Sequence, residues 1–360
     1  MKKVLLLCLH RPNRSPSQRF RIEEFIPFLE ENGYSFNYSY LLSEEDDKIF
    51  YQPGNYFGKL KIVAKSITRR LAEIRRAKQY DLVFVQREAF MLGTDYFEKA
   101  IGKKVPMIFD FDDSVWLQTV SEKNKNLAFL KDADKTAKII GHSALVFAGN
   151  DYLANYARQF NENVQVVPTT IDMQVYQRIE PLAKKNIVCI GWSGSFSTIQ
   201  YFEYAIPILK RIKERYGDKI SFKVIGDGNY YCKELQVQGV PWIAATEVKD
   251  LSELDIGIMP LPDDEWTKGK CGLKGLQYMA LGIPTLMSPV GVNSDIIQDG
   301  ENGYLPATED EWFNCLSQLI ENEDLRKTVG QNGLQTVREK YSSDVWKGKY
   351  LELFGKSCQK

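Results

Sequence analysis

The chain has 360 residues, 44% of them hydrophobic and 26% charged, with 47 basic and 47 acidic side chains and a net charge of zero. Such a composition describes a soluble globular protein and implies no bulk polyanion partner, so nucleic acid is not expected and any membrane contact must come from a local patch. The length is too great for one ordinary core and suits two domains of roughly 150 to 200 residues each.

Six cysteines, Cys8, Cys189, Cys232, Cys271, Cys315 and Cys358, show no paired spacing. With no signal peptide ahead of them they read as reduced thiols, and the expected location is cytoplasmic. Two histidines argue against a His-rich metal site, so no metal is expected. The apolar run at 4–9 is too short to cross a bilayer.

In chain order, KKVLLLCLH reads as a buried parallel strand, apolar on both faces. The loop after it, RPNRSPSQRFR, carries Arg11, Arg14, Arg19 and Arg21 with Ser15 and Ser17. It is either a solvated loop or a site for a phosphorylated or acidic ligand, which arginine forks grip in bidentate fashion. A helix is expected over 17–32, with Phe20, Phe25, Phe28 and Leu29 as core and Gly33 as its end. Residues 41–57 are polar and read as a loop. In the helix expected over 59–78, Leu60, Val63, Ile67, Leu71 and Ile74 form an apolar stripe. Lys59, Lys61, Lys65, Arg69, Arg70, Arg75, Arg76 and Lys78 surround that stripe, with Glu73 the one acid. A helix of this kind either packs on its own sheet or lies on an anionic membrane surface.

Strands then alternate with helices: DLVFVQ, PMIFDF, ALVFAG and VQVVPT. Arg87 follows the first of these, while Asp110, Asp112 and Asp113 end the second, either as an acidic turn capping the next helix or as functional carboxylates. Further on, NIVCIGW runs into a Gly-Ser loop (Gly191, Ser193, Gly194, Ser195) expected to open a helix near Ser197, a geometry that cradles phosphate. The spacing is not Gly-x-Gly-x-x-Gly, which disfavours a nicotinamide cofactor. More strands follow in FKVIGDG and in the stretch ending at Met259 and Pro260.

The densest pattern lies at 266–303. Lys268, Gly269, Lys270 and Gly272 form a basic loop, and Leu273, Leu276, Met279 and Ala280 line one side of a helix capped by Gly282. A buried strand, a turn at 289–291, a short helix around 294–298 and a second turn complete it. Lys270 and Lys274 stand at the positive end of the helix dipole, where a cation is unfavourable unless an anion binds there. The lysines are therefore either solvated or flanking a diphosphate. Beyond Gly303 the chain is helical.

Gly272, Leu273, Leu276, Met279, Ala280, Gly282, Pro284, the Ser-Pro-Val-Gly at 288–291 and the Asp-Gly-x-x-Gly at 299–303 resemble the donor-binding core of family 4 (group 1) glycosyltransferases. That resemblance implies an α/β chain of the GT-B fold, two Rossmann-like α/β/α domains facing each other across a cleft, and retention of anomeric configuration. It divides the chain into an acceptor-side domain at 1–171, a linker at 172–185 and a nucleotide-sugar domain at 186–341, with a final helix at 342–360 packing back on the first domain.

The family's two glutamates fall on Gly269 and Gln277. An amide still suits a ribose hydroxyl, and Asp263, Asp264 or Glu265 stands near enough in sequence to meet the sugar. The cations of the family's Gly-rich loop fall on Trp192 and Ser197, so positive charge has moved to Lys268, Lys270 and Lys274. Asp112 matches a family histidine that faces the reaction centre; with Asp113 it is the candidate catalytic group. Arg11, Arg14, Arg19, Arg21 and Arg87 are the candidates for the acceptor or its phosphate.

The expected function is transfer of a sugar from a nucleotide diphosphate sugar to a glycan or lipid-linked acceptor in cell-surface polysaccharide or glycoconjugate synthesis, without a cofactor. Contact with the inner face of an anionic membrane would run through 59–78. The alternatives are a non-catalytic nucleotide-sugar or glycan-binding protein and another GT-B enzyme such as a sugar-nucleotide epimerase.

Overall fold

A computed structural model describes residues 1–117, 132–179 and 187–358. Residues 180–185 of the expected linker and residue 186, the expected start of the second domain, lie outside them. The chain divides into one unit of Met1–Thr169 with Trp346–Lys360 and a second of Thr170–Val345.

The first unit is built on a parallel sheet of six strands: β1 (Lys2–His10), β2 (Tyr34–Leu42), β3 (Leu82–Gln86), β4 (Met107–Phe111), β5 (Leu145–Ala148) and β6 (Val164–Val166). Their spatial order is β2-β1-β3-β4-β5-β6. The register pairs Val4 with Leu82, Val83 with Met107 and Ile108 with Leu145. β3, β4 and β5 are buried along their whole length, as the near-continuous Val, Phe and Ile runs require of parallel strands covered on both faces. Because β2 lies on one side of β1 and β3 on the other, the carboxyl ends of β1 and β3 flank a topological switch point, where ligands enter such sheets.

Three segments differ from the sequence expectation. β2 is an edge strand whose alternating tyrosines, serines and asparagine carry little apolar signal. The stretch read as a loop at 41–57 contains the helix Glu44–Phe50, where Ser43 and Asp46 form a reciprocal capping box and four acids fill the first turn. Acids at that end complement the helix dipole, so the run of charge is itself the helix start. The helix expected over 17–32 is broken into Pro16–Arg19, a 3-10 turn at Glu23–Phe25 and Ile26–Glu31, with Pro16 and Pro27 in the first turns of the two α segments.

The largest reversal concerns the helix Tyr56–Arg76. Its buried residues are Ile62, Ser66 and Arg70, not the apolar stripe. The Arg70 guanidinium donates to the carbonyls of Ala89 at 2.5 Å and Cys8 at 3.0 Å and to Glu73 at 2.7 Å. These bonds satisfy a buried cation, and they leave Leu60, Ile67 and Leu71 of the stripe exposed, with Val63 and Ile74 half-buried.

Chain-terminal residues complete this core. Tyr350 and Phe354, of the helix Ser343–Ser357, stack on Phe25 and Phe84 at ring separations of 3.7 and 5.8 Å.

In the second unit, β7 (Val188–Ser193), β8 (Ile220–Gly226), β11 (Val240–Pro241), β12 (Ile256–Met259) and β13 (Thr285–Met287) form a parallel sheet in the order β11-β8-β7-β12-β13. A two-stranded hairpin of β9 (Tyr231–Cys232) and β10 (Val237–Gln238) stands apart. The switch point here lies between β7 and β12, so the loops after Ser193 and after Met259 share one edge. The helix Leu273–Ala280 follows, ending at Gly282, whose φ of +66° and N–H bond to the Met279 carbonyl form the left-handed stop expected of it.

Candidate active site

In the first unit the loop after β1 and the ends of β3 and β4 meet at the switch point. Arg21 lies fully inside. Its Nε and Nη2 reach the Asp110 carboxylate at 2.6 to 3.0 Å and Nη1 reaches the Val167 carbonyl at 2.7 Å. The expectation that Arg21 offers charge to a ligand is therefore corrected: a fork enclosed on three sides fastens the loop to β4. Arg11 and Arg14 both pair with Asp47 of the Glu44–Phe50 helix, Arg14 Nε at 3.0 Å. Arg19 stacks its guanidinium on the Phe20 ring at 5.0 Å.

Arg87, Asp112, Asp113 and Ser17 do come together. Arg87 Nε donates to Asp112 at 2.9 Å, its Nη2 donates to Asp113, and the Ser17 hydroxyl donates to Asp112 at 2.5 Å. Arg87 holds a positive φ of +64°, while its N–H donates to the Asp110 carbonyl at 2.7 Å. Non-glycine residues there are uncommon and are found where the surroundings impose the conformation. Burial alone would raise the Asp112 carboxyl, but Arg87, then Arg21 and the Ser17 hydroxyl outweigh it and hold the group below the usual carboxylate range. Asp112 is thus an anchored, ionised carboxylate at a strand end.

His10 and Tyr51 escaped the sequence reading. His10, at the tip of β1, lies 3.2 Å from the Tyr51 hydroxyl through Nε2 and 3.7 Å from Asp47 through Nδ1. Burial pushes its pKa down to about 4, against the pull of Asp47. The unfolded chain takes up this proton from about pH 6.5 downward and the folded protein only near 4, so stability falls as pH drops through that window, by at most about 1.4 kcal/mol per unit. Thermal melts at pH 7.5 and 5 should show a smaller acid loss of Tm in His10→Gln than in wild type.

In the second unit Ser193 ends β7, and its N–H donates to the buried Tyr278 hydroxyl at 2.7 Å. Gly191 lies within β7 against Leu254, where an added Cβ would come within 2.1 Å of that side chain. Its role there is packing, not phosphate contact. Gly194 packs on the end of β8 through its N–H bond to the Ile225 carbonyl at 2.9 Å. The helix expected near Ser197 is a 3-10 turn, Phe196–Thr198, followed by the short Ile199–Tyr204. Ser195 and Thr198 cap each other across that turn, so the loop presents clustered hydroxyls and only a weak helix dipole.

Across the switch point, Gly272 opens the Leu273–Ala280 helix in the left-handed conformation with no side-chain cap. Gly291 packs beneath this loop: a Cβ there would lie 2.6 Å from the Lys268 carbonyl. Lys274 Nζ meets Gln277 Oε1 at 3.0 Å, and Lys270 sits 5.3 Å from the centre of the Trp266 ring. Lys268 pairs with Glu265 at 2.8 Å, and Asp264 caps the Glu265–Lys268 helix. Leu273 is half-buried beside them. Gln277 is fully buried with both ends of its amide bonded inside the unit. The expected ribose contact is therefore not available from this side-chain position.

The family model described as glycosyl transferases group 1 matches residues 184–322. N-acetyl-alpha-D-glucosaminyl L-malate synthase of Bacillus anthracis is 23% identical over 312 residues, 80% of this chain and 78% of that protein. The capsular polysaccharide biosynthesis glycosyltransferase CapM of Staphylococcus aureus is 31% identical over 78 residues, 21% of this chain and 20% of its own. Among solved structures, sucrose-phosphate synthase from Thermosynechococcus elongatus superposes with a TM-score of 0.71 at 13% identity, covering 99% of each chain. Anabaena Alr3699/HepE in complex with UDP and glucose gives 0.69 at 16% identity, covering 99% of this chain and 100% of that one. The segment at 184–322 belongs to the group 1 glycosyl transferases, and the chain has the GT-B fold.

Proposed function

We propose that the chain transfers a sugar from a nucleotide diphosphate sugar to a glycan or lipid-linked acceptor, with retention and without a metal, in the synthesis of cell-surface polysaccharide or glycoconjugate. The observation that carries the donor half is the uncapped start of the Leu273–Ala280 helix at the β7/β12 switch point, with Lys274 in its first turn and Lys270 just before it. A diphosphate there meets the positive end of the helix dipole and two ammonium groups. The names of the relatives agree: one is a capsular polysaccharide glycosyltransferase and another was solved with UDP and glucose.

In calorimetric titrations with UDP, GDP and ADP, Lys270→Ala and Lys274→Ala should each weaken the best binder by about 1–3 kcal/mol, the range for hydrogen bonds to charged groups. Unchanged affinity in both variants refutes the donor site. Asp112, fixed by Arg87 and Ser17, is assigned to the reaction centre. A non-catalytic nucleotide-sugar-binding protein is the second reading, favoured by Gly269 in place of a family glutamate and by the enclosed Gln277.

The acceptor half draws on the surface of the Tyr56–Arg76 helix. Phe57, Leu60, Ile67 and Leu71 are 69%, 64%, 38% and 37% exposed, on one face beside the exposed Lys61, Lys65 and Arg69. Among the described residues no helix is long and apolar enough to cross a membrane. An outward apolar stripe flanked by cations suits an anionic bilayer surface. At about 1 kcal/mol per basic residue, four cations near lipid give about 4 kcal/mol, which is millimolar docking. Sedimentation with anionic vesicles should show binding at low salt, lost in high salt and in a variant carrying Leu60→Glu, Arg69→Glu and Arg75→Glu. Arg70 is kept because it is interior. Wild type remaining in the supernatant at low salt removes the membrane from the reading.

A further inference from the structure

Gln277 is the middle of a buried chain that begins at Glu247, the first residue of the helix Glu247–Ser252. The Glu247 carboxylate accepts from Trp242 Nε1 at 2.8 Å and Gln277 Nε2 at 3.1 Å on Oε1, and from the Tyr176 hydroxyl at 2.9 Å on Oε2. The same Gln277 nitrogen donates to the Tyr176 oxygen at 2.6 Å. An amide has one donating and one accepting end, and an ammonium group only donates. With Nε2 turned to Glu247 and Tyr176, Oε1 must face the other way, where it receives Lys274 Nζ at 3.0 Å. The orientation of the amide is therefore dictated from both ends. Tyr176, Glu247 and Gln277 are all buried, so this chain has little freedom to rearrange.

The arrangement also accounts for glutamine at 277. A carboxylate in its place would bring a second negative charge to within about 3 Å of Glu247, and two buried carboxylates so close cannot both stay ionised. The acid that sequence places at 277 in the resembling family stands here at 247, one residue further from the lysine.

We propose that Glu247, acting through Gln277, is a positioning residue for the Lys274 ammonium and thereby sets the affinity of this site for a nucleoside diphosphate. The proposal rests on the reading of Lys274 as a diphosphate ligand. The acceptor that Gln277 offers Lys274 is a neutral amide, so this contact aims the ammonium without setting a negative charge against it. A carboxylate in direct contact would compete with the phosphate for it.

The experiment is an exchange cycle of Glu247→Gln, Gln277→Glu and the double variant, with Lys274→Ala as reference. UDP affinity is measured by calorimetry, inorganic pyrophosphate serves as a base-independent probe, and Tm is followed in parallel. Glu247→Gln frees the amide to turn and is expected to weaken both probes about tenfold, the scale of one charge-assisted hydrogen bond. Gln277→Glu is expected to lower both Tm and affinity. The double exchange restores a single carboxylate to the cluster and should recover Tm, yet it sets that carboxylate directly on Lys274, so affinity stays about tenfold down.

Recovery of affinity together with Tm in the double variant overturns the proposal, because a purely structural role moves both together. So does wild-type affinity in Glu247→Gln while Lys274→Ala binds weakly. Wild-type affinity in Lys274→Ala itself refutes the diphosphate reading instead. Should Gln277→Glu fail to fold, Tyr176→Phe removes one bond from the amide; affinity about threefold lower supports the proposal and unchanged affinity overturns it.

Discussion

Arg21→Met is expected to destabilise the first unit by about 3–5 kcal/mol, the cost of leaving a buried charge without its partner. Asp110 is fully buried within β4 and receives three hydrogen-bond contacts from Arg21, while the Val167 carbonyl at the end of β6 loses its 2.7 Å donor in the same substitution. Were the pair exposed, its removal would cost at most about 1 kcal/mol, so the magnitude decides between a surface contact and an internal fastener. A double variant, Arg21→Met with Asp110→Leu, removes both charges and should regain most of the loss, since apolar replacements of a buried pair are often neutral or better. Urea unfolding followed by tryptophan fluorescence and circular dichroism measures both. A loss below 1 kcal/mol in Arg21→Met contradicts the buried-pair account.

Such a fastener shows where sequence reasoning stops. The strands of the first sheet were legible because β3, β4 and β5 are near-continuous apolar runs, and the Gly272-to-Gly282 helix because its apolar spacing and left-handed stop are local signals. The partners of the charged residues were not. Arg21 and Asp110 are 89 positions apart, Arg11 and Asp47 are 36 apart, and Glu247 and Gln277 are 30 apart. Counting cations in the loop after β1 could not reveal that one is enclosed and two are met by an acid from a helix read as loop. Ser43 with Asp46 was the available signal for that helix, a capping pair three residues apart ahead of Ile49 and Phe50.

The Tyr56–Arg76 helix teaches the converse. Periodicity located its apolar stripe correctly, but which face is buried was settled by Arg70, whose five-donor fork found carbonyls and Glu73 inside. A pattern of one residue type fixes a face; it does not say whether that face looks inward.

Asp112→Asn is expected to reduce turnover by about a hundredfold or more, the loss typical when one preorganised electrostatic partner of a transition state is removed. The substitution keeps the side chain's shape and leaves Oδ1 to accept from Arg87 Nε, while the new Nδ2 amide faces Ser17, whose hydroxyl then accepts instead of donating, but it removes the charge. Developing positive charge on a transferring sugar is felt in the transition state and hardly at all in the bound ground state, so kcat should fall while donor affinity holds. Asp113→Asn is a control of the same chemistry, because Asp113 grips the Nη2 end of Arg87 and its effect should be smaller. Since Arg87 offsets burial and holds Asp112 below the usual carboxylate range, protonation of Asp112 contributes no acid limb to the rate until below that range. The measurement is nucleoside diphosphate release with a matched donor and a panel of acceptors that includes lipid-linked sugars. Equal kcat in Asp112→Asn and wild type removes Asp112 from the reaction centre, and tight donor binding with no release by wild type on any acceptor selects the non-catalytic reading.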